Sequence, residues 1–322
     1  MDMHTRYERD GKTYFPGVAL MLADKYTPSS ETPKKAPKAL NPPAGWLCSE
    51  KMDGLRALWN GECLITRSSP NKDAKMFSSA PRWFTDALPR GVALDGELWM
   101  GRGRFHEVAG ISNRAVADDA AWARVRYAAF DAPAHPGGLE ERLAAARAAV
   151  AERAAAWKEQ GKATAKRLPR GAPKRAFPVS VVKTTRVRDA AHLAELFEAV
   201  RAKEPSGEGL IIRAPGSPYV PRRSKLMLKL KAVCDTEMRV TGRELGRGKF
   251  EGMLGALLGV ETGAETGAGR VVIRVGTGFT EAERRNHARL FPDGALVSVA
   301  FMERTPEGRL RMPSFRGVRE DM

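Results

Sequence analysis

From Asp235 onward the chain reads as a run of short strands, Glu237–Leu245, Met253–Val260, Arg270–Gly276 and Ala295–Met302, with one helix inserted. Short strands in close succession hide their apolar sides by curling into a small barrel, and this pattern limits the fold more than any other feature. The helix before the last strand is announced by a capping box, Thr280-x-x-Glu283, and is expected to run about three turns. At roughly 100–200 residues per domain, 322 residues make two domains. The change of pattern places their boundary near 233, dividing the chain into 1–232 and 233–322.

Upstream the pattern is mixed. Thr27–Trp46 is rich in Pro, Lys and Ser, and regular patterning begins near Leu47, so residues 1–46 are expected to form an irregular arm. Leu55–Trp59 and Glu62–Thr66 flank Asn60-Gly61, a two-residue hairpin signal. That turn would set Arg56 opposite Ile65, with Arg67 diagonal to it on the same face. Leu139–Trp157 and Ala190–Arg201 read as helices. Between them Lys158–Arg175 carries seven basic residues and one acid among Gly and Pro breakers, and reads as a mobile basic loop. No internal repeat is evident.

Charge narrows the function. Lys+Arg number 54 against 38 Asp+Glu, a formal +16, which predicts a polyanionic partner, nucleic acid first and anionic membrane second. At 43% hydrophobic and 29% charged, the composition is that of an ordinary soluble chain. The apolar run Val18–Ala23 is too short to span a bilayer or to serve as an export signal, so a cytoplasmic protein with no membrane partner is expected. Cys48, Cys63 and Cys234 are too few and too scattered for a disulfide framework or a zinc site. The histidines form no metal-binding set.

Lys51-Met52-Asp53-Gly54-Leu55-Arg56 is the sharpest local signal. A lysine acts as a nucleophile when neighbouring cations or desolvation favour its neutral form, and Arg56 and Arg67 supply cations suited to phosphate. In Leu226-Met227-Leu228-Lys229-Leu230-Lys231 the period of two turns the leucines to a core and Met227, Lys229 and Lys231 to the other face. Two like charges there make sense with an anion between them. Asp95-Gly96-Glu97 and Glu208-Gly209 bring carboxylates to strand starts, suited to a metal or to ribose hydroxyls. Phe130 is a core residue by default, and base stacking is the sharper reading.

Taken in order, these elements resemble the covalent nucleotidyltransferases: ATP-dependent DNA ligases, RNA ligases and mRNA capping enzymes. The resemblance rests on Lys51–Arg56, Asp95-Gly96-Glu97, Phe130-Asp131, Glu208-Gly209, Lys229-Leu230-Lys231 and Arg311-Met312-Pro313-Ser314-Phe315. The last of these looks like DNA ligases rather than capping enzymes, and Gly246–Leu257 with Gly276-Thr277-Gly278-Phe279 is similar to the OB domain of minimal bacterial and viral DNA ligases. The fold it implies is α+β: a nucleotidyltransferase domain, ATP-grasp-like with antiparallel sheets and flanking helices, followed by an OB-fold β-barrel.

The resemblance also implies roles. Lys51 would attack the α-phosphate of ATP to give lysyl-AMP. Phe130 would stack on adenine, Arg56 and Glu97 would contact ribose, and Glu50 would touch the nucleotide. Glu208 and Glu97 would hold Mg²⁺, while Lys229 and Lys231 hold the α-phosphate. Arg67 would grip the 5′-phosphate of the nick, and Arg311 and Arg319 would orient pyrophosphate. Apart from the resemblance, the basic segments Lys158–Arg175 and Thr27–Lys38 are candidates by their charge for added grip on DNA. The expected partner is nicked duplex DNA in repair, replication or recombination, and the expected state a monomer. The alternatives are an RNA ligase, a capping guanylyltransferase or a non-catalytic OB-fold DNA-binding protein.

Overall fold

A computed structural model of the 322-residue chain describes residues 2–26, 44–68, 72–165, 176–231, 234–262, 272–302, 304–305 and 308–319. It divides into two compact units, Met1–Leu230 and Lys231–Met322.

The first unit begins with β1 (Tyr7–Arg9), β2 (Lys12–Phe15), β3 (Leu22–Lys25), β4 (Leu47–Glu50), β5 (Leu55–Trp59), β6 (Leu64–Thr66) and β7 (Ala74–Lys75). It continues through α1 (Arg82–Thr85), β8 (Leu94–Trp99), α2 (Phe105–Ser112), α3 (Asp119–Trp122), β9 (Arg126–Asp131) and α4 (Leu139–Ala165). The remainder is β10 (Val179–Val181), β11 (Thr185–Arg186), α5 (Ala190–Arg201), β12 (Gly209–Arg213) and β13 (Arg223–Lys231). Three sheets result, in the orders β1-β2-β7, β10-β9-β8-β5-β6 and β11-β4-β12-β13-β3.

Strand β5 is buried on both faces. Ala57 and Trp59 join a core with Phe84, Trp122 and Tyr127, whereas Leu58 turns to Phe15, Val18 and Leu20. The N-terminal segment is therefore part of the fold, and the expectation of an irregular arm over 1–46 is corrected for its described residues, which include three strands. Phe15 at the end of β2, and Val18 and Leu20 in the irregular chain after it, are buried against Leu58 of β5 and Ile65 of β6 without a helical or strand period in the sequence. Residues 27–43, including the basic Thr27–Lys38, lie outside the described residues.

The β5–β6 hairpin also departs from expectation. Its register is Leu58 opposite Ile65 and Trp59 opposite Leu64, so four residues, Asn60 to Cys63, make the connection. The Asn60 side-chain oxygen accepts from the backbone N–H groups of Glu62 and Cys63, and Gly61 sits at φ +98°. An asparagine bonding its own following backbone lengthens the turn beyond two residues. Carried one step on, the register sets Arg67 across from Arg56 in place of Ile65.

In α4, Leu139, Leu143, Ala146 and Val150 are buried at spacings of four, three and four, the stripe of a helix lying on a sheet. The helix runs eight residues past the expected end at Trp157. Lys158-Glu159-Gln160 are good helix formers, and the next proline is Pro169. The expected loop therefore begins later than Lys158, and residues 166–175 lie outside the described ones.

The second unit holds β14 (Cys234–Leu245), β15 (Leu254–Glu261), β16 (Ile273–Val275), α6 (Glu281–Arg285), α7 (His287–Leu290), β17 (Leu296–Phe301) and β18 (Ser314–Val318). The sheet is antiparallel, in the order β16-β15-β14-β17-β18, with twelve-residue β14 long enough to pair on both sides. The four expected strands are present, and Thr280 and Glu283 form the expected capping box. The helix they open is shorter than three turns: α6 ends at Arg285, with Asn286 as its C-cap, and α7 follows. Strand β18 has no counterpart in the sequence pattern. Its Phe315 stacks on Phe279 at 4.6 Å and meets Phe291 edge-on at 5.2 Å, which seats the end of the chain in this core. No helix among the described residues is long and apolar enough to cross a membrane.

Candidate active site

Strand β4 ends at Glu50, paired with Leu210 of β12, and the Lys51 N–H donates to the Gly209 carbonyl at 2.8 Å. Gly209 lies at φ +141°, a conformation that L side chains rarely adopt, and it brings Glu208 beside the end of β4. As a result the Lys51 ammonium donates to Glu208 Oε2 at 2.5 Å, with Glu208 8% exposed and Lys51 22%. Gly54 has a different reason to be glycine. A Cβ there would fall 2.2 Å from the Leu98 carbonyl oxygen, so only glycine lets the Lys51 segment enter β5 against β8.

Opposed residues of β5 and β8 share a face, which puts Arg56 across from Glu97 and Leu58 across from Asp95. Arg56 reaches diagonally to Asp95 with two parallel bonds, Nε to Oδ1 at 2.9 Å and Nη2 to Oδ2 at 2.6 Å. The Tyr219 hydroxyl adds a third bond to Asp95, at 2.7 Å, and accepts from the Met21 N–H. Burial works against the Arg56 charge, but Asp95 outweighs it and holds the guanidinium firmly protonated. The clamped guanidinium lies 5.3 Å from the centre of the Phe130 ring.

Beneath Phe130, Asp131 is 2% exposed and takes charge-assisted bonds from two arginines. Arg142 of α4 donates from Nε at 2.6 Å, and Arg213 of β12 from Nη1 at 3.3 Å. Arg213 Nη1 also donates to the Phe130 carbonyl at 2.6 Å. Asp131 thus anchors the strand that carries Phe130 to a helix and to the other sheet.

Glu97 is a strongly perturbed carboxylic acid. Burial pushes its carboxyl up to about 8, with Lys51 and Arg56 opposing, and Asp95 and Glu208 adding to the rise. An acid raised in this way is neutral in the folded protein while ionised in the unfolded chain. Folding stability from this group is therefore full below its ordinary range and is lost as pH rises toward about 8. In nucleotide-free, chelator-treated protein, Glu97→Gln should leave Tm nearly unchanged at pH 5 and raise it relative to the parent at pH 8. The difference grows by up to ~1.4 kcal/mol per pH unit across that window. A Tm difference that does not change with pH would contradict this account of Glu97.

One cavity of about 460 Å³ is lined by Glu50, Lys51, Arg56, Arg67, Glu97, Phe130 and Lys229. These seven are all sequence-expected site residues, and Glu208 reaches them through Lys51. The alternation read in Leu226–Lys231 holds where it can be followed: Leu228 and Leu230 belong to a core, and Met227 and Lys229 line the cavity. Glu50 lines the cavity with its carboxylate already engaged by Arg102, at 2.6 and 2.8 Å, and by Lys203 at 3.2 Å. Burial raises that carboxyl, and the two cations outweigh it, holding the group below its ordinary range. Lys231, Arg311 and Arg319 belong to the second unit, where Lys231 Nζ is 3.4 Å from Met302 Sδ and Arg319 pairs with Glu237 at 3.0 Å.

Sequence reasoning did not single out Tyr219, Arg213 or Arg142. Tyr219 contacts Asp95 across 124 positions, and nothing local marks it. The isoleucine-rich run ending at Arg213 carried a weak signal, a charge closing an apolar strand. Among the described residues no group of three or more His, Cys, Asp or Glu side chains is placed to hold a metal ion.

A family described as DNA ligase OB-like domain matches residues 245–319, most of the second unit. Over 274 residues the chain is 29% identical to a DNA ligase of Haemophilus influenzae, covering 85% of this chain and 87% of that one. It is 32% identical over 145 residues to a DNA ligase of Enterobacteria phage T3, covering 43% and 40% of the two chains. A solved structure of a Lig E DNA ligase, described as binding DNA with a minimal scaffold, matches with TM-score 0.66 and 31% identity. That match covers 94% of this chain and 99% of the other. Likeness along nearly the whole of a Lig E enzyme, on one fold and with the second unit matched independently, shows that this chain belongs to the minimal DNA ligases.

Proposed function

We propose that this ligase uses ATP and seals 5′-phosphate/3′-hydroxyl nicks in duplex DNA through a covalent Lys51–AMP intermediate. The observation that carries this reading is Lys51 at the wall of a cavity that also holds Arg56, Phe130 and Lys229, with Glu208 bonded to its amine. Phosphoryl transfer asks little covalent chemistry of a protein beyond the nucleophile; it asks for position and for neutralised charge.

Lys51 Nζ forms a bond to the α-phosphorus, the bond from that phosphorus to the bridging oxygen breaks, and pyrophosphate leaves. Making the phosphoramidate removes two protons from the ammonium: one leaves to solvent before attack and frees the lone pair, and the other passes to the Glu208 oxygen already in contact with the amine. Phe130 offers its ring to adenine, its carbonyl and following Asp131 pinned from behind by Arg213 and Arg142. Arg56 cannot swing freely, because both oxygens of Asp95 hold it; its outer edge is left for the ribose. Arg213 Nη2 is buried with no hydrogen-bond partner among the described residues, and Arg213 lines the cavity. A nucleotide acceptor thus has a donor there to satisfy. Lys229 faces the phosphates. In the second step Arg67, across from Arg56, holds the 5′-phosphate that receives AMP, and the 3′-hydroxyl then displaces AMP.

The donor set suits Mg²⁺, which takes hard oxygen ligands and binds through one or two carboxylates plus substrate phosphates, not through an all-protein cage. Glu208 and Glu97 would hold it, and it would supply charge neutralisation on the phosphates. Arg311 and Arg319 of the second unit are assigned to pyrophosphate on the strength of their motif alone. Residues 1–232 and 233–322 then act as adenylation and OB-fold domains, in a cytoplasmic monomer.

The test offers a labelled nick with ATP, NAD⁺ or GTP, in DNA and in RNA. ATP with DNA is expected to give sealing. Activity with GTP, or on RNA alone, would favour a capping or RNA-ligase reading instead.

A further inference from the structure

The sheet β1-β2-β7 takes no part in the nucleotide cavity, yet its outer face has an unusual make-up. The β1–β2 hairpin turns through Asp10 and Gly11, both at positive φ (51° and 66°), as a tight primed turn requires. Tyr7 lies opposite Tyr14, Arg9 opposite Lys12, and Tyr14 opposite Lys75. Opposed residues and residues two apart share a face, so Tyr7, Arg9, Lys12, Tyr14 and Lys75 stand together. The other face carries Phe15 and Ala74, both fully buried in a core, and Thr13 bonded to Glu8.

On the outer face the two tyrosine rings stack at 5.4 Å with 16° between planes, and the Arg9 guanidinium sits 4.8 Å from the centre of Tyr14. Asp73, the acid at the edge of this face, accepts from the Tyr7 hydroxyl at 2.8 Å. Like charges directly opposed across strands, as Arg9 and Lys12 are, destabilise a sheet. A polyanion laid between them reverses the sign of that interaction, and cations held in place by flat rings suit the sugar–phosphate backbone of a duplex. The face is also continuous with the cavity rim. The Lys75 N–H donates to Thr66 Oγ1 at 2.9 Å, and Thr66 and Arg67 line the cavity.

We propose that this face binds the backbone of duplex DNA beside the nick, on the Arg67 side of the cavity. The proposal rests on the DNA-ligase reading above and assigns part of the +16 charge to a place.

The test uses the full chain with Arg9→Ala, Lys12→Ala and Lys75→Ala combined, and a fluorescent nicked duplex titrated by anisotropy across roughly 0.05–0.2 M salt. Affinity at about 0.15 M salt is expected to fall about 10- to 100-fold, and the slope of log affinity against log salt to shrink by about 3, while AMP loading is unchanged. Unaltered affinity and slope in a variant that loads AMP normally would overturn the proposal. So would a change of oligomeric state without a change in DNA binding, which would assign the face to a second copy of the chain. Failure of the parent protein to load AMP would count against the ligase reading and leave the measured DNA affinities to decide this one. Should the triple variant not fold, Lys12→Glu at an exposed strand start is expected to weaken DNA binding about tenfold, and no loss there would likewise overturn it.

Discussion

Lys51→Ala is expected to abolish covalent AMP loading while leaving the fold intact. The side chain is partly exposed and pairs with Glu208, so its removal costs little packing. Chemically the change removes everything: no other amine can form the same bond, and nucleophile loss typically costs several orders of magnitude in rate. Intact mass after incubation with ATP and Mg²⁺ should show one added AMP on the parent and none on the variant, with unchanged circular dichroism. An adduct of equal yield on Lys51→Ala would move the nucleophile elsewhere.

The largest effect on stability is expected from Asp131→Ala. Removing one partner of a buried ion pair leaves an uncompensated charge, at a cost of about 3–5 kcal/mol. Here two guanidinium groups would be stranded, Arg142 at 1% and Arg213 at 3% side-chain exposure. Tm should fall by about 10 °C or more. A drop below about 2 °C would mean that Asp131 is not the anchor between α4, β9 and β12. Asp131→Asn keeps an acceptor but not the charge, and should fall between the two proteins.

The second unit was the most readable part of the chain. Its strands are short apolar runs separated by turn residues, a pattern that is local to each strand. Thr280-x-x-Glu283 is a local device whose whole action lies within four residues. The nucleophile segment was readable for a related reason: Gly54 and Gly209 answer to backbone geometry, and the chemistry needs Lys51 and Arg56 at short spacing. What escaped was long-range. Residues 2–26 bury isolated apolar side chains, Met3, Phe15, Val18 and Leu20, against β5 and β6, with no period of their own. Asn60 lengthened a turn that looked two residues long, shifting the hairpin register by two. Tyr219 and Arg142 act through Asp95 and Asp131, partners that only the folded chain brings near. Glu50 was expected as a nucleotide contact, and the cations that occupy its carboxylate, Arg102 and Lys203, come from distant loops.

The central claim is that AMP on Lys51 is the intermediate through which nicks are sealed. The most direct measurement is a single turnover: protein loaded with AMP, freed of ATP, and mixed with excess nicked duplex. The account predicts about one nick sealed per adduct, with AMP lost from the protein as the 5′-adenylated strand rises and falls. An adduct that persists in the presence of the nick, or nicks sealed by protein that never carried AMP, would contradict it.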